Sequence, residues 1–96
     1  MATVTLNWNS PASGGPVDSY KIYRKQGTNQ TESVIRANPD SGFPVQGTEA
    51  SLASGSGYVY QDTTLSSGAG TYCWTVTALN STGESLSGAV PTHQTL

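Results

Sequence analysis

A Ser-His-acid triad needs a histidine base, and the chain has only His93, three residues from its end and just beyond Pro91. A general base must be held within hydrogen-bond reach of its nucleophile, which a side chain in a terminal stretch is poorly placed to achieve. His93 therefore reads as a tail residue. Cys73 and His93 together offer at most two soft metal ligands, whereas a closed zinc site takes about four. Asp18, Asp40 and Asp62 are scattered over turns and strand ends, unlike the alternating oxygens of a calcium loop. Asp62-Thr-Thr64 is more simply a set of side chains capping a turn. Gly68-Ala-Gly70 lacks the following helix and the lysine that would make it a phosphate loop. Carboxylates paired for glycoside hydrolysis are absent. The expectation is a protein that is not an enzyme and takes no cofactor or metal.

Surface aromatics are the remaining chemical resource. Tyr23 alternates outward from Ile22, and Phe43 and Tyr58 lie in or beside a long irregular stretch. Such rings with a polar rim can anchor a protein interface or stack on a sugar. The competing and favoured reading has Phe43 capping an open end of the fold and Tyr58 half-buried beside Tyr60. Lys21, Arg24 and Lys25 read as a solvated strand face. Cys73, between Tyr72 and Trp74, points away from their face. It reads as a small residue on an outer sheet surface, the alternative being an intersubunit disulfide.

The chain that must position these groups has 96 residues and a mass of 10.0 kDa, the size of one domain with no room for a second core. Charged residues are only 10 % of it, and 13 Ser and 13 Thr supply most of the polarity. A net charge of −2 and a pI near 5.0 argue against binding nucleic acid or an anionic membrane. No apolar run approaches the roughly 20 residues of a membrane span, and the start, Met-Ala-Thr-Val-Thr-Leu-Asn-Trp8, does not resemble a secretion leader. The single cysteine excludes an internal disulfide. Two tripeptides of glycosylation type, Asn29-Gln-Thr31 and Asn80-Ser-Thr82, read as coincidence in a chain this rich in Ser and Thr.

Period-two alternation dominates and helical periodicity is hard to find. Val4, Leu6 and Trp8 share one face of a first strand, ended by the turn Ser10-Pro-Ala-Ser-Gly-Gly-Pro16. A second strand spans 17–25, with Tyr20 and Ile22 on one face. A short third strand is expected over 32–36, around Val34 and Ile35. Residues 38–57 form an irregular excursion containing Phe43 and Val45 and a short strand at 49–53. Further strands follow at 58–65, at 71–80 and from Glu84 to about Thr92, separated by Ser66-Ser-Gly-Ala-Gly70 and Ser81-Thr-Gly83. Short strands punctuated by turns describe an antiparallel sandwich or barrel.

The order and spacing of these features resemble a fibronectin type III domain. The likeness rests on Val4-Thr-Leu-Asn-Trp8, the Pro/Gly turn, Tyr20-Lys-Ile22-Tyr-Arg24 and Leu65 seven residues before Tyr72. It rests also on Gly70-Thr-Tyr72-x-Trp74-x-Val76-x-Ala78-x-Asn80, with Gly83 and Ser85 following. It covers most of the chain except 38–57. The resemblance implies an all-β, antiparallel immunoglobulin-like sandwich of about six to seven strands, with a core of Trp8, Tyr20, Ile22, Leu65, Tyr72, Trp74 and Val76. It also implies a tyrosine corner, the Tyr72 hydroxyl bonding back across the turn after Leu65. Two departures stand out: the chain begins inside the family's strand B, with no strand A before it, and the 38–57 excursion is long. Strand B would then be an unpaired edge, covered by the excursion or by a neighbouring subunit. Thr3, Thr5 and Asn7 are the candidate interface residues there, with Tyr23, Phe43 and Tyr58 elsewhere.

The expected function is a non-enzymatic structural or interaction protein that docks on other protein subunits through strand edges and loops. A chain from an initiator Met to Leu96 with no tag, no leader, low charge and no strand A of its own fits a capsid or tail decoration protein of a tailed-bacteriophage virion. The alternative is a spacer or weak carbohydrate-binding module, extracellular or on a cell surface, from a secreted bacterial multidomain protein, with a glycan as partner.

Overall fold

A computed structural model describes residues 3–9, 16–55, 57–81, 83–86 and 92–95. The strands are β1 (Val4–Trp8), β2 (Ser19–Gln26), β3 (Val45–Thr48), β4 (Ala53–Ser54), β5 (Gly57–Asp62), β6 (Thr71–Asn80), β7 (Gly83–Leu86) and β8 (Thr92–Thr95). Two short helices, α1 (Glu32–Ala37) and α2 (Glu49–Leu52), interrupt them.

The strands form two antiparallel sheets. One has the order β1-β5-β4, with Val4 opposite Asp62 and Trp8 opposite Tyr58. The other runs β3-β2-β6, and the far edge of β6 is shared: β7 pairs with Thr77–Asn80 and β8 with Thr71–Trp74. The single last strand expected from Glu84 to about Thr92 is thus two strands, and residues 87–91 lie outside the described residues, as does most of the expected turn at 10–16. The backbone of His93, expected in a tail, is in β8 opposite Cys73. The turn after Leu65 closes with the Ala69 amide donating to the Ser66 carbonyl at 3.1 Å. Its third residue, Gly68, has φ +83°, which a side chain would strain.

Alternation explains the sandwich. Val4, Leu6 and Trp8 of the first sheet meet Tyr20, Ile22, Tyr72, Trp74, Val76 and Ala78 of the second, and Leu65 closes the same cluster. All seven residues of the expected core are in it. Trp8 meets Tyr20 edge-on at 5.4 Å between ring centroids, and Tyr58 packs 4.9 Å from Tyr20. Aromatic pairs of this kind add about 0.5–1.5 kcal/mol each beyond the area they bury.

Two expected strands are helices. At 32–36 the Thr31 hydroxyl accepts from the Val34 amide, Glu32 sits in the first turn of α1, and Arg36 donates to Glu32 at 3.1 Å one turn on. Capping and an i,i+4 ion pair thereby override the β preference of Val34 and Ile35. At 49–52 the Thr48 hydroxyl caps α2 by accepting from the Ser51 amide at 3.1 Å. The excursion is correspondingly ordered: β3 extends the larger sheet beside β2, and β4 pairs with β5.

Candidate interaction surface

β1 is the place to begin, because the described residues give it a strand partner on one side only, β5. Its buried residues seal the core, and Thr3, Thr5, Asn7 and Asn9 are exposed. Residues 3–9 carry no charge, proline or glycine, and the pairing with β5 runs over five successive residues without a bulge. Among the described residues, the charges, prolines and bulges that blunt a sheet edge are therefore missing from β1. The excursion does not cover this edge, contrary to one of the two expectations: its strands go to β2 and β5 instead.

At the end of this strand lies a crevice of about 220 Å³ lined by Asn7, Trp8, Asn9, Ser54, Gly57 and Tyr58. Tyr58 is half-buried, stacked at 6.1 Å on Trp8. A β-carbon on Gly57 would stand 2.7 Å from the Trp8 carbonyl oxygen, so glycine is what lets the end of β1 approach β5.

Tyr23, expected to project outward as an interface aromatic, is corrected to a buried residue. It does leave the sheet on the outer face, but α1 lies over that face and encloses Tyr23, Ile35 and Cys73 in a second small cluster. The Tyr23 hydroxyl donates to Glu84 at 2.5 Å, and the Thr77 hydroxyl donates to the same carboxylate oxygen. Arg36 and Lys21 approach Glu84 at 3.7 and 3.9 Å. Burial alone would raise the Glu84 carboxyl, but the bonds from Thr77 and Tyr23 and the charges of Arg36 and Lys21 hold it below its ordinary value. The Tyr23 phenol is pushed up by burial and by the carboxylate it bonds. An open groove of about 610 Å³ runs alongside, walled by Glu32, Ser33, Arg36, Ala37 and Glu84.

Cys73 is likewise corrected: it is covered by α1, not displayed on an outer surface, and its thiol donates to the Gly27 carbonyl at 3.4 Å. A thiol 2 % exposed has no access to a partner subunit's cysteine, which removes the intersubunit disulfide.

Arg24, grouped with the solvated strand face, is buried between the sheets. It shares the parity of Tyr20 and Ile22 and so points inward, where its Nη1 donates to Asp62 at 3.0 Å and to Thr64 at 2.9 Å, and its Nε donates to Asp40 at 3.0 Å. The guanidinium lies 4.5 Å from the Phe43 ring centroid and 5.2 Å from that of Tyr72. Phe43 therefore covers a cation and packs on the core, and is no free platform. Asp62 receives the Trp74 indole N–H at 3.2 Å and both the amide and the hydroxyl of Thr64, the turn cap expected of it. Burial pulls its carboxyl upward, and these bonds outweigh that pull and hold it low. The tyrosine corner does not form: the hydrogen bonds among the described residues include none from the Tyr72 hydroxyl back across the turn, and the ring lies against Arg24 instead.

Among the described residues no three His, Cys, Asp or Glu side chains gather as metal ligands. No described helix is long and apolar enough to cross a membrane. The chain matches no protein-family model, no curated protein and no solved structure. The surface alone carries the functional reading.

Proposed function

We propose that this β-sandwich is a fibronectin type III-like docking module: a non-enzymatic subunit that joins other protein subunits by lending them the free edge of β1. The observation that carries this is an uncharged, unbulged strand hydrogen-bonded on one side only among the described residues. Main-chain groups along such an edge give affinity to any added strand, and alternate side chains give register. A low charge density and a composition rich in Ser and Thr suit a component packed among neighbours. The setting we favour is the capsid or tail of a tailed-bacteriophage virion, where sandwich domains decorate larger lattices. This choice of setting is an analogy of fold. The test is hydrogen exchange of the protein free and within its native particle. Slowing of the amides of residues 3–9 by tenfold or more on assembly is expected from a newly paired strand. Equal exchange in both states, or a protein never found in a larger particle, overturns the reading.

One observation favours a second reading, a weak carbohydrate module. Asn7, Asn9, Ser54 and Tyr58 are among the residues lining a crevice of about 220 Å³. Amides, a hydroxyl and an aromatic wall are the groups that hold a sugar. Binding on a glycan array that is lost in Asn9→Ala supports it, and a blank array removes it.

A further inference from the structure

We propose that the occupant of the β1 edge is a second copy of this chain, two β1 strands pairing antiparallel about a two-fold axis through Leu6. The inference rests on the docking reading above and names its partner. Residues 3–9 read polar-apolar-polar-apolar-polar-apolar-polar, the same in both directions. Pairing β1 with itself about Leu6 places Thr3 opposite Asn9, Val4 opposite Trp8, Thr5 opposite Asn7 and Leu6 opposite its own copy. Every buried residue then meets a buried residue and every exposed one an exposed one. A slip of one residue would set each apolar side chain against a polar one on the wrong face. The bulkiest member, Trp8, faces the slim Val4, as interdigitating layers require.

Charge permits the same arrangement. No ionisable side chain lies in 3–9, and the residues facing Thr5 and Asn7 across the ladder, Gln61 and Val59, are uncharged as well. A net charge of −2 per chain gives only modest repulsion at physiological salt. An isologous contact needs one self-complementary patch, and β1 supplies both halves from one sequence. Two three-stranded sheets would join into one of six, with the larger sheet of each copy packed on it.

Sedimentation equilibrium on the full chain tests this with two double variants at exposed positions, each checked by far-UV circular dichroism for an unchanged fold. T5K/N7K opposes lysines twice across the axis and should raise the dimer Kd about tenfold, while T5K/N7E opposes unlike charges and should restore it to within about threefold of the parent. A protein monomeric up to about 1 mM, where even weak interfaces associate, overturns self-pairing. So does a dimer indifferent to T5K/N7K. Neither result touches docking on a different protein, which exchange within the native particle decides separately.

Discussion

The Arg24 guanidinium lies 3.0 Å from the Asp62 carboxylate, and this pair ties β2 of the larger sheet to the end of β5 in the smaller one. Asp62 is fully buried and Arg24 nearly so. Removing one member of a buried pair strands the other, at about 3–5 kcal/mol. Asp40 stays within 3.0 Å of Arg24, so Asp62→Asn should fall at the low end, about 3 kcal/mol, in urea unfolding. The pH dependence follows from the direction of the shift. The Asp62 carboxyl is held below its ordinary 3.8, so its stabilisation is complete above about pH 4 and is lost as pH falls through the lower, folded-state value. Glu84 is shifted the same way and is present in both proteins, so the difference between them isolates Asp62. The parent should lose thermal stability below pH 4 more steeply than Asp62→Asn; parallel curves would show that Asp62 has no depressed value.

The two tryptophans should respond differently to loss of their N–H groups. The Trp74 indole donates to Asp62 at 3.2 Å, whereas the Trp8 indole nitrogen is buried with no hydrogen-bond partner among the described residues. Replacement by Ala should cost about 3–5 kcal/mol at either position, since both rings fill the core. Replacement by Phe should separate them. Trp74→Phe leaves a buried carboxylate one donor short, while Trp8→Phe removes a donor that bonds nothing, so Trp74→Phe should be worse by about 1 kcal/mol or more. Chemical denaturation with tryptophan fluorescence from the remaining ring measures both, and equal losses would refute the unequal bonding.

The strands were legible because burial on one face imprints a period of two, clearest in Val4, Leu6 and Trp8 and in the paired faces of β6. The helices were not, because six and four residues are too few to show a helical period. The signal that was present is capping: Thr31-Glu32 and Thr48-Glu49 are each an N-cap followed by an acid. Arg24 was recoverable from its parity with Ile22, but its partner Asp62 is 38 residues away and joined to it only by the fold. Tyr23 and Cys73 obey the alternation and do leave the sheet on its outer side. What hides them is α1, an element whose existence their own strands do not encode. The family resemblance implies an edge position for the first strand, covered by the excursion or by a neighbour; that the excursion goes elsewhere depends on the pairing of 45–48 and 53–54, and those residues lack a strong period.

Helix α1 should act as the cover of Cys73. Ile35, fully buried, is the side chain that α1 inserts beside Tyr23 and Cys73. Ile35→Ala should cost about 2–4 kcal/mol and let α1 lift without opening the main core. The measurement is the rate at which Cys73 reacts with an aromatic disulfide reagent under native conditions. Ile35→Ala should react more than about tenfold faster than Leu6→Ala, a variant of similar stability loss in the other cluster. Equal rates would mean that Cys73 is exposed only by global unfolding.

Gly57 and Gly47 make a matched test of why β1 meets β5 so closely. A β-carbon at Gly57 would stand 2.7 Å from the Trp8 carbonyl oxygen and 3.1 Å from the Asn9 side-chain oxygen. The first of these is backbone and can yield only by parting the two strands. A β-carbon at Gly47 would stand 2.9 Å from Leu52, but what it meets there is the end of a side chain that can turn aside. Gly57→Ala should therefore cost about 1–3 kcal/mol, as overpacking does, and Gly47→Ala clearly less. The strain at Gly57 falls where Trp8 pairs with Tyr58, so amide exchange at the end of β1 should quicken in Gly57→Ala beyond what its global stability loss accounts for. Uniform quickening across both sheets, or a larger loss at Gly47, would show that the close approach of β1 to Gly57 is not what holds that end of the strand.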